Sequence, residues 1–218
     1  STAKSPQQMF GAVVREYYKD PEKNLGKRVV SVSIMPCTAK KYEIHRDDMT
    51  YGDEPTIAHS ITTVELANMI REAGLRFEEI MPEAVDMPFG IASGAGIIFG
   101  VTGGVTEAVI RYVMGEEARY HLADISFTGV RGFDGLKEVK VPYKDGELSI
   151  AVVSGLKNAE NLIQKIQSGE VHYDFVEVMA CEGGCITGPS THNDIVSGRR
   201  QLVQELLKRK ESYETMDR

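Results

Sequence analysis

Two nearly unbroken apolar, β-rich runs set the frame of this chain: Arg28 to Met35 (RVVSVSIM) and Tyr173 to Met179 (YDFVEVM). Runs without clean polar alternation suit strands covered on both faces, as in a parallel sheet packed between helices. Helical periods surround them. Ser5 is placed to cap a helix with Pro6 at its first position, and Met9, Phe10, Val13, Val14 and Tyr17 then recur at helical spacing. Thr38 to Asp48 predicts a short polar helix, and Ser60-Ile-Thr-Thr-Val-Glu65 carries a capping-box pattern that opens another through about Glu72. Residues 76–90 predict an acidic, proline-punctuated loop, 123–130 a strand, and 158–167 a helix. A β-hairpin is expected near 136–153 with Asp145-Gly146 in its turn, and a C-terminal amphipathic helix from Asp194 or Ser197. Strands alternating with helices imply an α/β fold with a mostly parallel sheet flanked by helices.

Serine 93 to Glu116 reads as a helix with a glycine-rich start, SGAGIIFGVTGG. The six glycines of residues 93–116 each cost about 1 kcal/mol against alanine in a helix interior, so a close backbone approach must be gained there. A phosphate loop would need a closing Gly-Lys-Ser/Thr, and the GxGxxxG spacing is wrong for a dinucleotide fingerprint. Both nucleotide readings are excluded.

Composition narrows the function classes. A formal net charge of −7 leaves no concentrated basic patch to neutralise phosphates, which excludes nucleic acid as the partner. The most basic stretch, GRRQLVQELLKRKES, interleaves Lys and Arg with Glu and Leu and suits a solvated helix face. No apolar run approaches the roughly 20 residues of a spanning helix, so no membrane role is expected. The opening STAKSPQQ has neither an initiating Met nor a secretory pattern, which suggests a piece of a longer protein.

The chain has three cysteines, and each follows one of the two strand-like runs. Cys37 follows the first, while Cys181 and Cys185 frame CEGGC after the second. Ligands of open α/β sheets gather at the carboxyl ends of strands, so one shared site is expected. An odd number of thiols with CxxxC spacing suits a reducing, cytoplasmic compartment and metal ligation rather than a disulfide framework. Gly183 and Gly184 allow backbone amides to turn toward an anionic thiolate cluster. Three thiols need a fourth ligand or leave an open position. Spacing alone leaves iron–sulfur and zinc both open, with His192 available as a fourth zinc ligand. Lys40 lies one helical turn beyond Cys37, where its ammonium favours a thiolate or another anion. Glu43 lies a further turn on, placed to pair with Lys40 or to relay protons.

SPQQMFGA, IMPCTAKKYE, SGAGIIFGVTGGVTEA and FVEVMACEGGC, in that order, resemble the catalytic domain of [FeFe]-hydrogenases. The family's second signature reads MPCxxKxxE and its third ExMACxxGCxxGGGQP. The resemblance implies that residues 1–218 are the C-terminal portion of that domain, one lobe of a two-lobed structure. It implies reversible reduction of protons to H2 at a [4Fe-4S] cluster joined to a diiron subcluster with CO, cyanide and dithiolate ligands. By the same resemblance Cys37, Cys181 and Cys185 are three cluster ligands, with Cys185 bridging to the diiron centre. Lys40 would hydrogen-bond a cyanide, and Met35, Pro36, Met179, Phe99, Gln7 and Ser1 would line or border the diiron pocket, with Ala3 in the bordering segment. The implied partners are a ferredoxin or electron-transfer subunit and the N-terminal remainder of the domain.

The chain departs from the family pattern in two places. The first signature, TSCCPxW, which carries the fourth ligand and a proton-relay cysteine, is expected shortly before Ser1. The 218-residue chain alone is therefore expected to be inactive. CITGPSTH also stands where the common form continues GGGQP, which leaves room for a sensory, non-catalytic module. A structural zinc protein and an iron–sulfur assembly protein are further alternatives, although Lys40 and the MPC motif count against the last.

Overall fold

A computed structural model describes residues 4–84, 86, 88–90, 96, 99–114 and 135–191. Ser1, Ala3, His192, the strand expected at 123–130 and the C-terminal helix expected from Asp194 or Ser197 lie outside the described residues. The chain divides into two units, Ser1–Pro82 with Pro189–His192, and Glu83–Gly188 with Asn193–Arg218.

In the first unit, α1 (Pro6–Tyr17) begins as the sequence predicts, with the Ser5 hydroxyl accepting from Gln8 N–H and proline in the first turn. This helix crosses the Thr56-Ile57 segment closely: a Cβ on Gly11 would stand 2.5 Å from Ile57 Cδ1. After the one-turn α2 (Pro21–Asn24), β1 (Val32–Met35) pairs in parallel with β4 (His59–Thr62), Val32 opposite His59 and Met35 opposite Thr62. Between them lie α3 (Ala39–Glu43) and the two-residue strands β2 (Thr50–Tyr51) and β3 (Glu54–Pro55), joined through Gly52. Helix α4 (Thr63–Glu72) follows β4 directly. The Thr62 hydroxyl accepts from Glu65 N–H while the Glu65 carboxylate accepts from Thr62 N–H, so the capping box forms at Thr62.

The first strand differs from expectation. Residues 28–31 are not strand, and Val32 and Ile34 are 53% and 51% exposed. The cause is pairing: β1 has β4 as its one neighbour among the described residues, so its apolar run is not enclosed. The polar helix is likewise shorter than Thr38–Asp48, ending at Glu43.

The second unit is built on a three-stranded sheet ordered β5–β6–β7. The expected hairpin is present: β5 (Leu136–Tyr143) pairs antiparallel with β6 (Gly146–Ser154). Its turn sits one residue earlier than predicted, because Lys144 takes φ 51° and Gly146 already pairs with Tyr143. Strand β7 (Phe175–Met179) then joins β6 in parallel across a crossover helix, here α6 (Leu156–Gln167). β6 is buried on both faces. Ile150 and Val152 meet Val141 and Ile110 of α5 (Gly104–Met114), whereas Ala151 and Val153 meet Ala159 and Leu162 of α6. Parallel pairing and helices on both faces make this a mixed α/β fold.

Helix α5 (Gly104–Met114) lies within the span expected to be helical from Ser93; residues 93–95, 97 and 98 lie outside the described residues, and residues 99–103 interrupt that span. Residues 99–103 are turn and bend, and Gly103 has φ 83°, a backbone conformation that glycine adopts without a Cβ penalty.

Candidate metal centre

Among the described residues, the predicted site residues of the first unit lie on α1, at the end of β1 and on α3, and those of the second unit in the 99–103 turn and around the end of β7. In the first unit, Met35 closes β1 and Pro36-Cys37 turn the chain into α3. The corner is fixed by backbone. Pro36 C=O accepts from Ser190 N–H at 2.8 Å, and Ser190 C=O accepts from Val64 N–H at 3.3 Å. Met35, Pro36 and Cys37 are half-buried there.

Helix α3 then supplies the ionic part of the site. Lys40 and Glu43 stand one turn apart and form an ion pair, their side chains 26% and 15% exposed. Glu43 also accepts from Ser5 Oγ at 2.5 Å and from Gln7 Nε2 at 3.4 Å, which ties α3 to the start of α1. Burial pushes the Glu43 carboxyl up, but hydrogen bonds from Lys40 and Ser5 outweigh it and hold the group below the usual carboxylate range. Gln7 is 8% exposed, and its Oε1 has no protein donor among the described residues. An orphaned acceptor beside an ammonium–carboxylate pair fits a wall that meets a polar group from outside the chain.

In the second unit, Met179 ends β7, and its C=O accepts from Gly155 N–H at 2.8 Å. Cys181 is half-buried and Cys185 exposed, and neither they nor Cys37 are joined in a disulfide. Gly183 and Gly184 have φ of 83° and 90°, so the loop reverses before Cys185 opens a single 3₁₀ turn to Thr187. The Thr187 hydroxyl, buried, donates to Gly184 C=O at 2.8 Å. The 99–103 turn grips the loop from the other side. Thr102 N–H donates to Gly183 C=O at 3.3 Å and Ile186 N–H to Gly100 C=O at 3.0 Å. A Cβ on Gly184 would come within 2.5 Å of Gly100 O and 2.7 Å of Thr102 N. The glycine-rich segment thus provides the close backbone approach its composition predicts. Phe99 is half-buried at the start of this turn.

Sequence reasoning missed Glu177. It is 5% exposed on β7, and its carboxylate accepts from Gly103 N–H, Thr106 N–H and Thr106 Oγ1, each at 2.7 Å. Two sequence signals mark it: a lone acid inside the apolar run FVEVM, and its place at the opening Glu of the ExMACxxGC signature.

Neither unit alone gathers three or more His, Cys, Asp or Glu side chains into a metal site among the described residues. The donors are soft thiols at strand ends with glycine-turned backbone around them, a set that fits iron–sulfur ligation.

The comparisons bear on that chemistry. Residues 1–189 match the model described as iron only hydrogenase large subunit, C-terminal domain. The chain is 44% identical over 198 residues to the NADP-reducing hydrogenase subunit HndD of Solidesulfovibrio fructosivorans, covering 89% of this chain and 34% of that protein. It is 40% identical over 188 residues to iron hydrogenase 1 of Clostridium pasteurianum, covering 86% of this chain and 33% of the relative. The cytosolic iron-sulfur assembly component 3 of Pongo abelii is 31% identical over 216 residues, 94% of this chain and 44% of that protein. A solved [FeFe]-hydrogenase HydA1 from Chlamydomonas reinhardtii superposes with TM-score 0.68 at 36% identity, covering 93% of this chain and 59% of that one. The chain thus spans about a third of the length of these two hydrogenases. With the family model spanning most of its length, this chain belongs to the family of the iron-only hydrogenase large subunit, C-terminal domain.

Proposed function

We propose that residues 1–218 are the C-terminal portion of an [FeFe]-hydrogenase catalytic domain, and that the complete protein catalyses 2H⁺ + 2e⁻ ⇌ H2. The observation that carries this reading is the half-buried Lys40–Glu43 pair one turn beyond Cys37, in the family's MPC-K-E pattern. A protein that only stores or passes on a cluster has little use for an ammonium oriented by its own buried carboxylate. Cys37, Cys181 and Cys185 would supply thiolates to a [4Fe-4S] cluster, with Cys185 also bridging to a diiron subcluster carrying CO, cyanide and dithiolate. That group supplies the redox chemistry and the open iron position.

The chain's residues do the rest. Lys40 Nζ donates toward an anionic ligand, and its ion pair with Glu43 keeps that ammonium aimed. Glu43 is also the carboxylate that can exchange a proton with Lys40 Nζ and Ser5 Oγ, both of which it contacts. Gln7 Oε1 is available to a donor, and by the family resemblance Met35, Pro36, Met179 and Phe99 would line the diiron pocket and exclude water, with Ser1 in a bordering segment. Electrons would come from a ferredoxin or an electron-transfer subunit, and the N-terminal remainder of the domain would complete the ligand set. No helix among the described residues is long and apolar enough to cross a membrane. The relatives' names include a periplasmic hydrogenase subunit as well as cytosolic assembly proteins, and the thiol usage favours the cytoplasm.

A second reading, a non-catalytic iron–sulfur module, is favoured by the assembly-component relatives, of which that of Pongo abelii aligns over 94% of this chain. The CITGPSTH departure points the same way. Anaerobic reconstitution of the complete protein with iron, sulfide and a diiron complex carrying CO, cyanide and dithiolate, followed by metal analysis and H2 evolution from a reduced viologen, separates the readings. Iron with turnover supports the hydrogenase. Iron without turnover selects the non-catalytic module, and one zinc without iron selects a structural zinc protein.

A further inference from the structure

We infer that Glu177 is a positioning residue for the Cys181–Cys185 loop, holding it through the 99–106 segment rather than by touching a ligand. The inference rests on the proposed cluster role of that loop. Its physical basis is a closed ring of contacts inside the second unit.

A helix start is usually capped from its own segment, by a Ser, Thr, Asp or Asn side chain just before the first turn. Here the preceding residue is Gly103, which has no side chain, and Thr102 Oγ1 is 3.2 Å from Ser154 Oγ instead. The cap comes from another element. Glu177, 71 to 74 residues away in sequence, accepts from Gly103 N–H, Thr106 N–H and Thr106 Oγ1 at 2.7 Å each. The start of α5 is thereby locked to β7, four residues before Cys181. The turn then returns to the cysteine loop through Thr102 N–H to Gly183 C=O and Ile186 N–H to Gly100 C=O. Gly184 packs against the backbone of that same turn. Strand, turn, loop and strand close on one another, and Cys185 is the exposed residue carried at the junction.

Buried amides left without an acceptor are costly, so loss of the carboxylate would release the turn and with it the loop. An ordinary core defect would lower stability without that local effect. The test compares Glu177→Ala and Glu177→Gln with Val152→Ala, a core truncation on the neighbouring strand, in the complete protein. The metal-free readout is hydrogen exchange of the amides of residues 183–188. The loaded readout is the rate of iron release to a chelator and the electron paramagnetic resonance signature of the reduced protein.

Glu177→Ala is expected to speed loop exchange about tenfold over Val152→Ala at matched melting temperature, as loss of a buried charged acceptor implies. It should also speed iron release and shift the resonance spectrum. Glu177→Gln, which keeps one acceptor oxygen, should fall between and restore most of the spectrum. Equal loop exchange in Glu177→Ala and Val152→Ala would overturn the inference. If Glu177→Ala does not fold, loop exchange in Glu177→Gln no faster than in Val152→Ala overturns it equally. Wild-type protein that takes up no iron would defeat the cluster reading, while the exchange measurement would still decide the role of Glu177.

Discussion

Gly184 shows how little room the cysteine loop has. A methyl group there would have to displace backbone atoms, Gly100 O and Thr102 N among them, and would sit on a residue with φ 90°. Gly184→Ala is expected to cost roughly 3 kcal/mol, the sum of backbone strain and overpacking. A shift of the urea midpoint measures it, and an unchanged midpoint would show that the turn yields freely. Glu43 makes a different prediction. Its folded pKa lies below the ordinary value, so the stability it contributes is fully present above that value. It is lost as pH falls through the lowered folded value. Glu43→Gln should therefore cost about 1–3 kcal/mol near pH 7, as for charge-assisted hydrogen bonds, with the difference from wild type vanishing in acid. Melting curves from pH 7 down to 2 test this, and a pH-independent difference would mean that packing rather than charge is lost. The Lys40–Glu43 pair was legible in the sequence because a three-residue spacing on a helix is local. Glu177 was not, since its partners lie more than seventy residues away and only the folded sheet brings them in.

At the scale of elements, local signals succeeded where the cap is local. Ser5 and Pro6 begin α1 as read, and the capping box falls within the predicted segment, at Thr62. The break at 99–103 leaves no local signal, because the start of α5 is capped from a distant strand and nothing beside Gly103 marks it. The first apolar run was read as enclosed, but enclosure depends on neighbouring strands, which residue type does not specify. Thr62→Ala should destabilise α4 by about 1 kcal/mol through loss of the Glu65 N–H acceptor. The Glu65 carboxyl adds a pH signature. The Lys41 ammonium, followed by Thr62 N–H, lowers it from 4.5 to about 2. The stabilisation it provides is complete above pH 4.5 and disappears as pH falls toward 2. Glu65→Gln and wild type should therefore converge in melting temperature across that window. Curves that stay parallel down to pH 2 would exclude the ion pair as the cause.

For the molecule as a whole, the α/β class followed from alternation alone, since β6 needs helices on both faces to bury Ile150, Ala151, Val152 and Val153. The metal chemistry was read from three thiols and their motifs, whereas relatives named as hydrogenases and as assembly proteins both align with most of this chain. Similarity therefore does not choose between them, and the metal must be made to report. A cluster that binds the folded chain and not the unfolded one stabilises it by mass action, about 2.7 kcal/mol at a hundredfold excess over Kd. For a folding unit of roughly 150–250 residues, such as the domain that holds these loops, that is roughly 5–10 °C in melting temperature. Stripping iron anaerobically from the reconstituted complete protein should lower its melting temperature by about that much, again on the mass-action estimate. Cys37→Ser and Cys181→Ser should each melt near the stripped value whether or not iron was supplied. If wild type retains iron yet melts at the same temperature after stripping, the metal is adventitious and these thiols are not its ligands. If only one of the two serine variants loses the iron-dependent rise, the two cysteine loops do not serve one cluster.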